Sequence, residues 1–214
     1  MPPRSKKLHL APSTSPPVAY RFLIVLAGTD PLVWRRILVP ATYTFWDLHV
    51  AIQDAMGWKD YHLHEFEIPG RPGEPALRVG IPDDEFPESP QPLPGWQLPI
   101  AGDALPMNAV MRYTYDFGDD WLHAVVHEGF EQIRPGRKLP ACIGGAGACP
   151  PEDCGGAHGY EDFLKVIANP RHREHRETLA WAGGSFDPHA FDPKKVKFDD
   201  PRERWKIAFE EEDA

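Results

Sequence analysis

The chain has 214 residues and a mass of 24.1 kDa, with 42% hydrophobic and 26% charged residues, enough to bury one core of ordinary size. Its formal charge of −9 and pI near 5.5 argue against a surface devoted to nucleic acid, because each neutralised phosphate needs a cation. The 3 cysteines are a poor disulfide framework, which together with the lack of any apolar run near the ~20 residues of a membrane span predicts a cytoplasmic protein.

Residues 1–19, rich in proline and serine with a few basic residues, lack the apolar centre of a secretion signal and are expected to form a disordered arm. Tyr20–Ala27 and Trp34–Val39 are apolar runs joined by a Gly-Thr-Asp-Pro turn, which predicts a β-hairpin. Thr44 stands as a helix N-cap with Asp47 three residues on. Phe45, Leu48, Ile52, Ala55 and Met56 then recur at helical spacing, and Gly57 is the stop. His62–Ile68 and Ala76–Ile81 are strand candidates. The ten prolines from Pro69 to Pro106 predict a long surface excursion carrying the acidic run Asp83, Asp84, Glu85.

Order returns where Met111, Tyr113, Tyr115 and Phe117 alternate with polar residues, the period of a half-buried strand. Gly118-Asp119-Asp120 turns the chain and Trp121–Phe130 returns as its partner. A Gly/Cys/Pro-rich loop, Pro140–Gly156, precedes a helix at about Tyr160–Ala168 and a second at about His172–Ala182, stopped by Gly183-Gly184. Residues 199–214 read as a solvated acidic tail. This order predicts an α+β fold with a mainly antiparallel or mixed sheet, a long helix after the first hairpin in a β-grasp-like opening, and a single domain over 20–198.

Four groups of residues could carry chemistry. Cys142, Cys149, Cys154 and His158 supply the thiolates and imidazole that a structural zinc ion prefers. They lack the close Cys-x-x-Cys pair, and three thiols packed in a loop explain them more simply. His62 and His64, two apart on one strand, would share a face and could chelate a metal with Asp116 or His123 from the hairpin; a structural pair lining the sheet is the plainer alternative. The string Tyr115–His123 crowds Asp116, Asp119 and Asp120 at a turn near a histidine, suited to a cation or to acid–base work, although a turn accounts for Gly118 and one aspartate unaided. Arg171, His172, Arg173, His175 and Arg176 form the densest basic cluster, a candidate for nucleic acid or an acidic partner that Glu174 and Glu177 dilute.

Taken in order, the strings Tyr20–Leu26, Trp34–Pro40, Thr44–Trp58, His62–Ile68, Tyr113–His123, Ala148–Gly156, Gly159–Leu164 and Gly183–Asp192 resemble the plasmid pRiA4b ORF-3-like family over about Tyr20 to Phe198. Its motifs map onto His62, His64, Asp116, Gly118, Asp119, Trp121, His123, Pro150, Glu152, Asp153, Gly155, Gly156 and Tyr160. The resemblance implies an uncharacterised protein linked to plasmids or mobile elements. Some relatives are labelled transposon resolvases, but Ser5, Ser13 and Ser15 lack the arginine cluster such a nucleophile needs.

The function expected from residues and resemblance together is a non-enzymatic accessory or interaction module that binds a protein partner. Its surface would be built where the His62–Phe66 strand, the Tyr115–Trp121 hairpin and the Pro150–Gly156 loop converge. A structural zinc is an added expectation. A metal-dependent, hydrolase-like enzyme using His62, His64, Asp116, Asp119 and His123 is the first alternative, and a weak nucleic-acid binder the second.

Overall fold

The computed structural model describes residues 18–82, 90–101, 105–134 and 136–210. The expected arm up to residue 17, the acidic run at 83–85 and residues 211–214 therefore lie outside the described residues. No described helix is long and apolar enough to cross a membrane.

The fold is α+β, with eight strands in one mixed sheet. The strands are β1 (Val18–Leu26), β2 (Trp34–Pro40), β3 (His64–Ile68), β4 (Leu77–Gly80), β5 (Leu93–Pro94), β6 (Val110–Tyr115), β7 (Trp121–Gln132) and β8 (Ala141–Ala146). They lie in the order β5-β4-β3-β6-β7-β1-β2-β8, and every pairing is antiparallel except β4 with β5. One face carries the main core, and a small separate cluster gathers Ala19, Leu38 and Ile133. Along β7, buried and half-buried residues alternate from Trp121 to Gly129, which is the period-2 signature of a sheet covered on one side.

Helix α1 (Phe45–Met56) covers that face, crossing from β2 to β3. Its entry is the expected capping box: Thr44 Oγ1 accepts from Asp47 N at 3.2 Å while Asp47 Oδ2 accepts from Thr44 N at 2.9 Å. Gly57 ends it at φ 95°, where a side chain would strain. Phe45, Leu48, Ala51, Ile52, Ala55 and Met56 pack on Phe22, Ile24, Ile37, Phe66, Tyr113 and Val125, each large side chain contributing about 1.5–3 kcal/mol by leaving water.

The Pro69–Pro106 stretch returns to the body more than its composition suggests. It supplies the edge strands β4 and β5, a bridge from Pro99 to Thr44, and the buried side chains of Ile100 and Leu105. Strand β8 lies inside the segment read as a loop. Ala-Cys-Ile-Gly-Gly-Ala has no apolar alternation, but its glycines let it lie close: a Cβ at Gly145 would stand 2.8 Å from the Trp34 carbonyl oxygen.

Helices α2 (Gly156–Ala168) and α3 (His175–Trp181) follow the expected order, and a final helix, α4 (Pro201–Phe209), occupies the stretch read as a solvated tail. Asp200 caps α4 and Pro201 opens it, a legible start signal. Trp205 and Phe209, one turn apart, pack on Trp46 and Trp96 with centroid separations of 4.6–5.5 Å. Arg204 reaches Asp60 at 3.0 Å and Asp199 at 2.9 Å.

Asp60 in turn holds His49 at 2.8 Å, and His49 stacks on His64 at 3.4 Å. Burial alone would raise the Asp60 carboxyl, but His49 and Arg204 outweigh it and hold it below the usual carboxylate range. Replacing Arg204 with alanine would leave that carboxylate half-partnered, so a loss of about 2 kcal/mol is expected in urea unfolding. An unchanged midpoint would show that the Arg204 ion pairs add nothing to the fold, leaving α4 held by Trp205 and Phe209.

Candidate functional site at the β6–β7 turn

Three separate stretches meet at one end of the sheet: the β6–β7 turn, the segment after α1, and the loop before α2. The turn begins where β6 ends. Asp116 sits at φ 58°, a conformation aspartate tolerates through local side-chain bonding. Its Oδ1 accepts from Gly118 N at 2.9 Å and Asp119 N at 3.3 Å, and its own N–H donates to Leu63 O at 2.9 Å. The residue is 7% exposed, and Oδ2 is left facing His62.

The Pro150–Gly156 loop is pinned against this turn. Asp153, Gly155 and Gly156 all have positive φ, at 57°, 91° and 67°. Gly155 N donates to Asp119 Oδ2 at 3.0 Å, and a Cβ at Gly156 would collide with the Asp119 carbonyl oxygen. The third stretch closes the arrangement. Trp58 Nε1 donates to Pro150 O at 3.0 Å, Lys59 N donates to Glu152 Oε2 at 2.9 Å, and the Tyr115 hydroxyl donates to Glu152 Oε1 at 2.6 Å. Burial and then Glu152 push the Tyr115 hydroxyl up, so it remains a donor.

The outcome is a histidine between two carboxylates. His62 Nε2 lies 2.9 Å from Asp153 Oδ1 and 3.5 Å from Asp116 Oδ2. The ligand atoms of these three residues all fall within 4.8 Å of one another, the one such group of three His, Cys, Asp or Glu among the described residues. The two separations fall within about 0.1 Å of the spacing of neighbouring ligands around one ion: metal–ligand bonds of about 2.1 Å put adjacent donors about 3.0–3.4 Å apart.

The other sequence candidates go elsewhere. His62 precedes β3 instead of sitting in it, so it does not share a face with His64. His64 is 3% exposed and lies in the core stack on His49; burial, then His49, hold it well below the ordinary imidazole range. His123 is wholly buried, its Nδ1 facing the carbonyls of Trp121 and Tyr113 at 3.0 and 3.3 Å. Asp119 positions the loop through Gly155. Cys142, Cys149 and Cys154 are free thiols, His158 is exposed, and these four do not gather three ligand atoms. Burial raises all three thiols, Cys154 to about 12. In the basic cluster, Arg173 pairs with Glu174, while His172 and His175 bond to backbone groups.

Asp153 was missed as a partner of His62 because the two are 91 residues apart. The signal that could have found it is an aspartate directly before Cys-Gly-Gly, a place where aspartate takes a left-handed turn.

Beside the triad opens a cleft of about 600 Å³ whose walls include Arg35, Trp58, Lys59, Tyr61, Asp153 and Phe191, within the size range of small-ligand sites.

The family model for plasmid pRiA4b ORF-3-like proteins matches residues 18–195, taking in every strand, α1 to α3 and the whole triad. The chain belongs to that family. Relatives of this pRiA4b ORF-3-like protein include the uncharacterized protein y4hQ of Sinorhizobium fredii (strain NBRC 101917 / NGR234), 34% identical over 190 residues that cover 86% of this chain and 93% of the relative. The crystal structure of MM3350 from Methanosarcina mazei Go1, titled a protein of unknown function, superposes with a TM-score of 0.77 at 38% identity, covering 86% of this chain and 100% of that one. Neither relative's name carries an activity.

Proposed function

We propose that this protein is a divalent-cation-dependent binding module, an accessory protein whose ion sits on His62, Asp116 and Asp153 at the rim of the adjacent cleft. The observation that carries the reading is the spacing of the three donors, 2.9 and 3.5 Å about His62 Nε2. One imidazole and two carboxylates suit Zn²⁺, Mn²⁺ or a related ion. The supporting bonds act as an outer shell: Asp116 is fixed by two turn amides, and the loop bearing Asp153 is fixed through Gly155 and Glu152. Three protein ligands leave positions free for water or for an anionic group of a partner. The His62 and Asp153 side chains are 31% and 63% exposed, so a ligand can reach the ion.

That openness also favours a second reading, a hydrolytic enzyme, since an ion with a free position makes bound water a nucleophile near neutral pH. The two readings share one ion and part at turnover.

Calorimetric titration of untagged protein with Zn²⁺ and Mn²⁺ is expected to give one equivalent. His62→Ala and Asp153→Asn should each weaken it at least tenfold, with unchanged circular dichroism because both side chains are partly exposed. Cys154→Ser should leave the affinity unchanged. Full affinity in His62→Ala overturns the assignment, and loss in Cys154→Ser moves the ion to the thiols. Release of product from aryl phosphate or aryl ester substrates only with the ion bound would select the enzyme.

A further inference from the structure

Arg35, at the back of the cleft, is a buried cation without a counterion. It is 1% exposed, yet it lines the cleft. Its Nε donates to Ala55 O at 2.8 Å, and its Nη1 donates to Trp34 O at 2.9 Å and Ala146 O at 2.8 Å. Nη2 has no hydrogen-bond partner among the described residues, and no described carboxylate pairs with the guanidinium. The titrating groups that act on it electrostatically are the thiols of Cys149 and Cys142, which burial keeps protonated at neutral pH. The Phe191 ring lies 3.7 Å from the guanidinium carbon.

Arginine does not give up its proton inside proteins, so this charge persists. Keeping an unpaired ion out of water costs several kcal/mol. Three carbonyl dipoles, one of them at the negative end of α1, offset part of that. Holding three carbonyls takes three N–H groups, and the Phe191 ring face meets part of the charge, but Nη2 is left without an acceptor and the guanidinium without an anion.

Both carboxylates lining the cleft are engaged, and Lys59, the other cation there, is exposed to water whereas Arg35 is buried. Glu152 accepts from Tyr115 and Lys59 N, Asp153 bonds His62, and Lys59 Nζ lies 5.7 Å from the Tyr61 ring centroid. The cleft has aromatic walls from Trp58, Trp181, Phe186 and Phe191, the last of them on Arg35.

We infer that the cleft binds a carboxylate carried on an apolar or aromatic body, with Arg35 Nη2 donating to the carboxylate and the ring walls holding the body. A single free nitrogen fits a monoanion, whereas Glu152 and Asp153, which line the same cleft, disfavour a phosphate dianion. The carboxylate could belong to a small acid or to the end of a polypeptide chain. The site does not depend on the rim ion, so it is tested in EDTA, where failure of the cation reading leaves it untouched.

The probes are 3-phenylpropionate and its amide, and N-acetylphenylalanine and its amide, followed by calorimetry and by the indole signals of Trp58 and Trp181. Each acid is expected to bind at least about tenfold more tightly than its amide, about 1.4 kcal/mol. The preferred acid distinguishes a free metabolite from a chain end. Arg35→Gln should abolish the acid-over-amide preference while leaving the amides' affinity unchanged. Should that variant fail to fold, the acid–amide comparison on the wild type still decides. Equal binding of acid and amide, or no binding of either acid at millimolar concentration, overturns the inference.

Discussion

Gly156→Ala is expected to destabilise the protein by about 2–5 kcal/mol, the sum of a left-handed backbone penalty and an overpacked contact. Gly156 sits at φ 67°, and the added Cβ would strike the Asp119 carbonyl oxygen. That oxygen belongs to the backbone of the β6–β7 turn, so no flexible side chain can give way. Either the loop lifts or the turn shifts.

Lifting the loop breaks the Gly155–Asp119 bond and withdraws Asp153 from His62. The same variant should therefore lose cation affinity even where urea unfolding shows it still folded at low temperature. Gly183→Ala is the control: it has φ 89° but no atom within 4 Å of the new Cβ, so only the backbone penalty of about 1–2 kcal/mol applies. Equal losses in the two variants would refute the collision argument.

This dependence of the site on close backbone approach explains what the sequence could and could not reveal. The hairpin, the capped α1 and the alternation of β6 and β7 are local patterns, and the structure reproduces them with their caps and turns. The mixed sheet of an α+β domain follows from them. That the His62, Asp116 and Pro150–Gly156 segments meet was inferable from the expected pairing of their strands and the loop that follows.

The identity of the triad was not. Two histidines two apart suggest a shared strand face, but β3 starts only at His64, and the preceding turn sends His62 to the surface and His64 inward. His123 and Asp116 lie on one hairpin, yet one faces the core and the other the turn. Arg35 gave no signal at all: in the run Trp-Arg-Arg-Ile the two arginines look alike. Strand alternation puts Arg35 under the sheet, while Arg36 pairs with Glu128 at the surface. Helix α4 had a legible Asp-Pro start, but its two anchoring aromatics stand among seven residues that are mostly charged or small, so no apolar face marked it as packed.

The alternation that buries Arg35 also buries His123, and there it sets a pH limit on the fold. The His123 ring is 0% exposed, its Nδ1–H directed at two carbonyls and its Nε2 without a partner among the described residues. Trp58 stands edge-on at 5.5 Å and Tyr113 at 5.1 Å. Protonating Nε2 would put a charge among rings with no acceptor, so burial pulls the imidazole down to about 4 from its ordinary 6.5.

The unfolded chain then binds a proton that the folded one refuses. The stabilisation is complete above the unfolded value of 6.5 and falls away as pH drops towards 4, in total about 3 kcal/mol. Between pH 6.5 and 5 the loss from this one group should be about 2 kcal/mol. His64, also buried and shifted in the same direction, adds a second proton of the same sign.

Urea unfolding across this range isolates His123 when wild type and His123→Leu are compared. The variant sits lower at pH 7, because two carbonyls lose their donor, but its stability should fall with pH by about one proton less than the wild type's. Parallel pH profiles would mean that His123 is charged or solvated in the folded protein. The wedge of aromatic rings behind the β6–β7 turn would then be open to water.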